Sequence, residues 1–388
     1  MSDLKFSKPI YLDCNATTPI DPEVIEAMLP YMKEHFGNPS SHHEYGRIAK
    51  TAVDNAREQV SELISSERDE IVFTSGGSES NNHAIIGTAL ANRKKGTHIV
   101  TSRIEHPSVL ETLRYLEERF RYKITRLPVD RYGMVDPLQL EKAMTDETVL
   151  VTIMHANNEV GTIEPVKEIG KITKENSVIF HVDAAQSSGK ITVDVNALNV
   201  DLLTVAGHKL YAPKGIGALY IRNGTKIDSF IHGAGQEQKR RAGTENVPYI
   251  VGLGKACEIG RSSIQDFGQC IKTLRDRLHH NIVDGLGAEN VKLNGHPVQR
   301  LPNTLNISLK GVVGEELLHI MPEIAASTGS ACHAGSTEPS AVLLAMGLSR
   351  DLALGAIRLS LGRWSTREEI DEASKLIIRN AKSIKKAN

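Results

Sequence analysis

From residue 70 to residue 182 the chain alternates short apolar runs with longer amphipathic ones, and this alternation restricts the fold more than any other feature. The stretches 70–74, 98–102, 124–129, 148–154 and 178–182 are strand-length and rich in Ile, Val and Thr. Between them, 107–120, a stretch through Met144 capped by Asp136, and 165–174 have the length and spacing of helices. Strands that alternate with helices predict an α/β fold: a mostly parallel sheet with helices on both faces. Ligands of such sheets bind beyond the carboxyl ends of the strands. Gly77, Ser78, His106, Asn158, Asp183, Gln186 and Lys209 each follow closely on one of the apolar runs, so one edge of the sheet should gather them all.

The flanks add a second unit. A short strand at 10–13 precedes a helix opened by Asp21-Pro22, and an amphipathic helix covers 46–64 through Val53, Ala56, Val60, Leu63 and Ile64. After a glycine- and charge-rich segment at 233–246, residues 247–286 read as one long helix. Strands at 291–293, 304–309 and 356–361 follow, with helices near Glu315, Ser340 and Arg367. A chain of 388 residues exceeds what one simple core organises. The expected division is a large domain over 16–259 and a smaller α+β domain built from 1–15 and 260–388.

Composition narrows the function classes. The net charge of −1 argues against nucleic acid or an anionic membrane as partner. Cys14, Cys257, Cys270 and Cys332 are far apart with no C-x-x-C, which speaks against a disulfide framework or a zinc site and for a reducing, cytoplasmic setting; Cys14, Cys257 and Cys270 read as inert core residues. The N-terminal residues form no apolar leader, and no apolar run approaches the ~20 residues that span a bilayer.

The chemistry starts from two neighbouring stretches. In 201–221 an apolar run delivers His208 and Lys209 to a turn broken by Pro213, Gly215 and Gly217; in 178–186 another run ends on Asp183 and Gln186. A lysine at such a junction suits a Schiff base, and a carboxylate on the adjoining strand end suits a pyridinium nitrogen, which together point to pyridoxal phosphate. Lys209 must then be neutral, and lowering its pKa from about 10.4 to about 7–8 means destabilising the ammonium by roughly 4 kcal/mol. The Ser75-Gly76-Gly77-Ser78 turn opens a helix whose free N–H groups and dipole suit a phosphate. Gly215-Ile216-Gly217 begins like a dinucleotide fingerprint, but it lacks the third glycine and leads into a strand, so a nicotinamide site is excluded.

His181-Val-Asp-Ala-Ala-Gln186, Gly207-His-Lys209 and Ser327-Thr-Gly-Ser-Ala-Cys332 together resemble the cysteine desulfurases, the NifS/IscS-like branch of the class V aminotransferase superfamily. The resemblance runs from Asn15-Ala-Thr-Thr-Pro19 to Gly362-Arg363. It implies the aspartate aminotransferase-like fold of pyridoxal-phosphate-dependent transferases. It also implies a role for each matching residue. Lys209 would bind the cofactor and move protons, His106 would stack on its ring, and Asp183 would pair with its nitrogen. Asn158 and Gln186 would lie near its phenolic oxygen, and Gly77, Ser78, Ala206, Gly207 and His208 around its phosphate. Thr244 would reach the phosphate in the neighbouring subunit of a homodimer. Arg358, with Asn158, would bind the substrate, the arginine forking onto its α-carboxylate. Cys332, on a loop at about 327–339, would take the substrate's sulfur as a persulfide and hand it to an acceptor such as an iron–sulfur scaffold or a tRNA thiolation carrier. No resident metal is expected; Cys332 is the one residue suited to ligate an iron–sulfur cluster transiently.

Two positions depart from the family pattern: Ala206 and Ala242 stand where serine is common, leaving the phosphate to lean on Ser78, His208 and Thr244. The selenocysteine lyases share the missing serine and an Ala331-Cys332-His333-like run, so conversion of selenocysteine to alanine and selenide is the second reading. The first is conversion of L-cysteine to L-alanine with a persulfide left on the enzyme.

Overall fold

A computed structural model describes residues 8–328 and 338–387. After the short strand β1 (Ile10–Tyr11), the strands β2 (Ile71–Thr74), β3 (His98–Ser102), β4 (Lys123–Leu127), β5 (Thr148–Met154), β6 (Ile179–Asp183), β7 (Leu202–Ala206) and β8 (Gly217–Ile221) form a seven-stranded sheet. The order is β2-β8-β7-β6-β5-β3-β4. From β4 across to β7 each pair is parallel, and β8 runs antiparallel to both of its neighbours. The reversal has a simple cause. Only residues 207–216 separate β7 from β8, too few for the crossover that a parallel return requires. The same short return carries His208 and Lys209.

Every residue of β3, β5 and β7 is buried, which is why these strands read as near-continuous apolar runs rather than alternating ones. On one face the helices Glu44–Ile64 and Val247–Leu286 pack Val53, Ala56, Val60, Leu253 and Ala256 toward Phe180, Val182 and Val205. A Cβ on Gly254 would stand 2.6 Å from the Cα of Ala56, so the approach of these two helices requires glycine there. On the other face Ile85, Ala89, Val109, Leu113 and Leu116 cover Ile99 and Leu150.

The 40-residue helix Val247–Leu286 is roughly 60 Å long and enters two cores. Its first half belongs to the large sheet's core; Ile271, Leu278 and Ile282 belong to a second one. That second core is built on the antiparallel strands β9 (Val291–Asn294) and β10 (Thr304–Leu309), together with a strand after the two-residue β11 (Ile324–Ala325), namely β12 (Ala356–Ser360). The helix Arg367–Ala387 covers it. β1 pairs in parallel with β11, so the start of the chain lies with the second core.

Three details depart from the sequence expectations. The helix expected from residue 46 begins at Glu44, with His43 as its cap. The helix after Ser75 passes through a π turn at His83–Gly87, which no local signal announced. Cys14 and Cys257 are buried as expected, but Cys270 is exposed, because it falls off the Ile271–Leu278–Ile282 stripe that faces the core. Among the described residues no helix is long and apolar enough to cross a membrane.

Candidate active site

A cavity of about 1090 Å3 opens beyond the carboxyl ends of β5, β6 and β7. Gly77, Ser78, His106, Asn158, Asp183, Gln186, Ala206, His208, Lys209 and Arg358 all line it. Two expected residues do not. Gly207 lies behind the wall, where a Cβ would come within 2.9 Å of Ile216, so its smallness serves packing. Thr244 is exposed and lines a separate cavity of about 180 Å3 that shares Ser75, Gly215 and Ile216 with the large one. Cys332 lies outside the described residues, but Ser327 and Thr328, the last residues before that segment, line the large cavity.

Lys209 ends the single turn Gly207–Lys209 that follows β7. Among the described residues its Nζ has no hydrogen-bond or ion-pair partner. Burial pushes its ammonium down to about 8; the Asp183 carboxylate opposes this and the Arg358 guanidinium reinforces it. An amine without a partner among the described residues, and with an appreciable neutral fraction at physiological pH, is able to act as nucleophile and base.

Asp183 is the last residue of β6 and is buried. Its Oδ1 accepts from the Ala185 amide at 2.9 Å, and its Oδ2 accepts from Asn81 Nδ2 at 2.8 Å. The same Asn81 nitrogen donates to Ser108 Oγ at 2.8 Å. Ser108 in turn holds His106, the cap of the helix Pro107–Phe120: its amide donates to His106 Nδ1 at 3.1 Å, and its hydroxyl is 2.8 Å from the same nitrogen. An amide can only donate, so Nδ1 is the lone-pair nitrogen and the proton of the neutral ring sits on Nε2. Burial keeps His106 below the ordinary histidine range, which favours that neutral form.

Gly76 has φ +147°, and a Cβ there would meet no atom within 4 Å, so the start of the helix Gly77–Asn82 opens onto free space. A Cβ on Gly77 would stand 3.2 Å from Ala206 Cβ, which seats the helix start directly over the end of β7. β12 carries Arg358, which lines the same cavity. Its Nη2 pairs with Asp13 Oδ1 at 2.8 Å, its Nη1 donates to the Asn158 carbonyl at 3.2 Å, and its Nε is buried without a partner among the described residues. The Asn158 side-chain amide lines the cavity and has no hydrogen bond among the described residues.

Asp13, Asn15, Asn81 and Lys190 were not singled out from the sequence. Asn81 lies four positions beyond Gly77, one turn along the helix Gly77–Asn82, and Lys190 lies four positions beyond Gln186 in the turn that follows β6. Asp13 and Asn15 reach it through the pairing of β1 with β11, which nothing local reveals.

Residues 10–373 match the aminotransferase class-V family. A cysteine desulfurase IscS of Methanosarcina thermophila is 51% identical over 373 residues, covering 96% of this chain and 91% of that protein. The chain belongs to the cysteine desulfurases of the class-V aminotransferase family. Among solved structures, a NifS-like protein superposes with a TM-score of 0.89 at 38% identity, covering 96% of this chain and 98% of the other. An SspA in complex with cysteine superposes with a TM-score of 0.79 at 37% identity, over 92% and 99%.

The family's cofactor is pyridoxal phosphate, and the cavity fits it on its own terms. It offers an unpartnered amine on Lys209, a carboxylate on Asp183 with both oxygens already oriented, and a helix start at Gly76 and Gly77 bare of side chains. That desulfurase reading is also the one the relatives' names carry, ahead of selenocysteine lyase.

Proposed function

We propose that this chain removes the sulfur of L-cysteine, releasing L-alanine, and that Cys332 receives the sulfur as a persulfide. The observation that carries the reading is that Lys209 and Asp183, from the ends of β7 and β6, and Arg358, from β12, line a single cavity. Pyridoxal phosphate, when bound, withdraws electrons from the substrate's α-carbon and so acidifies its α-proton. Asp183, an anion held by two donors, would keep the ring nitrogen protonated; Gly77, Ser78, Ala206 and His208 would surround the phosphate. Neutral Lys209 Nζ takes the α-proton and returns it. His106 faces the same space with its Nε2–H, and Arg358 forks onto the substrate carboxylate. The Cys332 thiolate then attacks the substrate sulfur as the Cβ–S bond breaks.

The two hydrophobic cores support a division into a large unit, 16–259, and a small one, 1–15 with 260–388. Thr244, exposed and outside the chain's own cavity, supports a homodimer in which it completes the partner's phosphate site. An iron–sulfur scaffold is the acceptor we propose for the persulfide, in keeping with the IscS name of the relatives.

The test is alanine and sulfide release from cysteine by the parent chain, Lys209→Ala and Cys332→Ala, with mass spectrometry for the sulfur adduct. Lys209→Ala should lose turnover altogether. Cys332→Ala should keep bound cofactor and lose sulfide release from cysteine. Normal cysteine turnover in Cys332→Ala, or an adduct on Cys14, Cys257 or Cys270, refutes the sulfur route. Faster turnover of selenocysteine than of cysteine by the parent would restore the second reading.

A further inference from the structure

Lys190 is buried, and among the described residues no carboxylate pairs with it. Such a lysine needs a reason, because an ammonium taken out of water without an anion is costly. Its Nζ donates instead to two amide oxygens, Gln186 Oε1 at 2.9 Å and Asn15 Oδ1 at 3.0 Å. With Gln186 Oε1 occupied, the other end of that amide is fixed as the donor, and its Nε2 gives one hydrogen to the Asn15 carbonyl at 3.0 Å. The second Nε2 hydrogen has no acceptor among the described residues, and Gln186 lines the cavity. Asn15 is oriented by the same lysine. With its oxygen held by Lys190 and Asn303, its Nδ2 donates to Thr304 Oγ1 at 2.8 Å and to the Asn158 carbonyl at 3.1 Å, the carbonyl that also receives Arg358.

We propose that Lys190 is a positioning residue of the active site, clamping the Gln186 and Asn15 amides so that Gln186 presents its N–H edge to the bound cofactor. The clamp works by donation rather than by charge. Burial pushes the Lys190 ammonium down to about 7, the positive charge of Lys209 adding to the effect, and the neutral amine still carries two hydrogens for the two oxygens. Lys190 itself lies behind the cavity wall and touches no reacting atom.

This inference rests on the cofactor reading above, and the experiment separates the two. Apoprotein is titrated with pyridoxal phosphate, and the Kd is read from protein fluorescence for the parent, Lys190→Met, Gln186→Ala and the double variant. Lys190→Met should bind about tenfold more weakly, as expected when a buried acceptor loses its donor. In the Gln186→Ala background the same change should cost less than about threefold, because the group it acts through is gone. The pH at which the bound cofactor's visible band titrates should move in Lys190→Met, which a lysine that only supports the fold would not cause. Lys190→Gln, a shorter side chain that keeps an N–H donor, should bind between parent and Lys190→Met, and it carries the cycle if Lys190→Met does not fold. Binding by Lys190→Met equal to the parent's, or a penalty that adds in full to that of Gln186→Ala, overturns the inference. A parent chain that binds no pyridoxal phosphate overturns the cofactor reading instead.

Discussion

Asn81 Nδ2 stands 2.8 Å from Asp183 Oδ2 and 2.8 Å from Ser108 Oγ, so one side-chain amide joins the carboxylate at the end of β6 to the hydroxyl that orients His106. Turned the other way, the amide would set its oxygen against a carboxylate. Among the described residues its own oxygen is buried without a partner, so the orientation is maintained by the two donations. Asn81→Ala should therefore release Asp183 and His106 together. We expect kcat for cysteine to fall about tenfold with cofactor still bound at saturation. An unchanged kcat in cofactor-saturated assays would separate Asn81 from the site's function.

Lys209 should betray its depressed pKa directly. At about 8 instead of the ordinary 10.5, it is half neutral at pH 8, where a solvated lysine is below about 1% neutral. Sparing acetylation of the apoprotein, read by mass spectrometry across pH, should show Lys209 reacting with a midpoint near 8, while Lys214 in the same cavity serves as the internal comparison. A Lys209 midpoint above 10 would mean that burial does not destabilise its charge.

Substitution can split the ion pair of Arg358 with Asp13 from the substrate-binding role proposed for it. Arg358→Lys keeps a cation for Asp13 but loses the planar fork, so KM for cysteine should rise on the order of tenfold or more while the cofactor's spectrum stays as it was. Arg358→Ala also strands Asp13, whose pKa burial already raises, and should lower the melting temperature as well. Equal KM values for parent and Arg358→Lys would show that the substrate carboxylate lies elsewhere.

Glu164 offers a stability test away from the chemistry. Its Oε2 accepts from the Val135 amide at 2.9 Å, its Oε1 is buried without a partner among the described residues, and burial pushes its pKa up to about 8. Between its unfolded value near 4.5 and that folded value, the native state holds a proton that the unfolded chain has released. Its contribution to stability therefore falls as pH rises from about 4.5 to about 8. Glu164→Gln, which resembles the protonated form, should raise the melting temperature more at pH 9 than at pH 5. A substitution effect that is the same at both pH values would remove Glu164 from this account.

Much of the site was legible in the chain because a parallel sheet places the residues after its strands on one edge. Asp183 and Lys209 could be named from the ends of two apolar runs, His106 from a third, and the cavity's glycine turn from Ser75 to Ser78. Cysteine chemistry at Cys332 was legible only through resemblance, and its surroundings lie outside the described residues. The exposed Cys270 shows the limit of reading burial from residue type, because a helix 40 residues long presents every direction to something different.

The sequence alone determined the order and kind of elements, since period and strand length are local properties of the chain. It also determined which ends of the sheet carry reactive groups. Tertiary structure decided the rest: that Asp13 faces Arg358 from 345 positions away, that Asn15 meets Asn303 and Thr304, and that Lys190 finds two amides and, among the described residues, no carboxylate. Those contacts depend on β1 docking beside β11 and on the second core bringing β12 to the cavity, and no spacing within a single element encodes such a meeting. Hydrogen bonds and ion pairs act over about 3 Å, so which polar groups become partners is settled only when packing has brought distant segments within that reach.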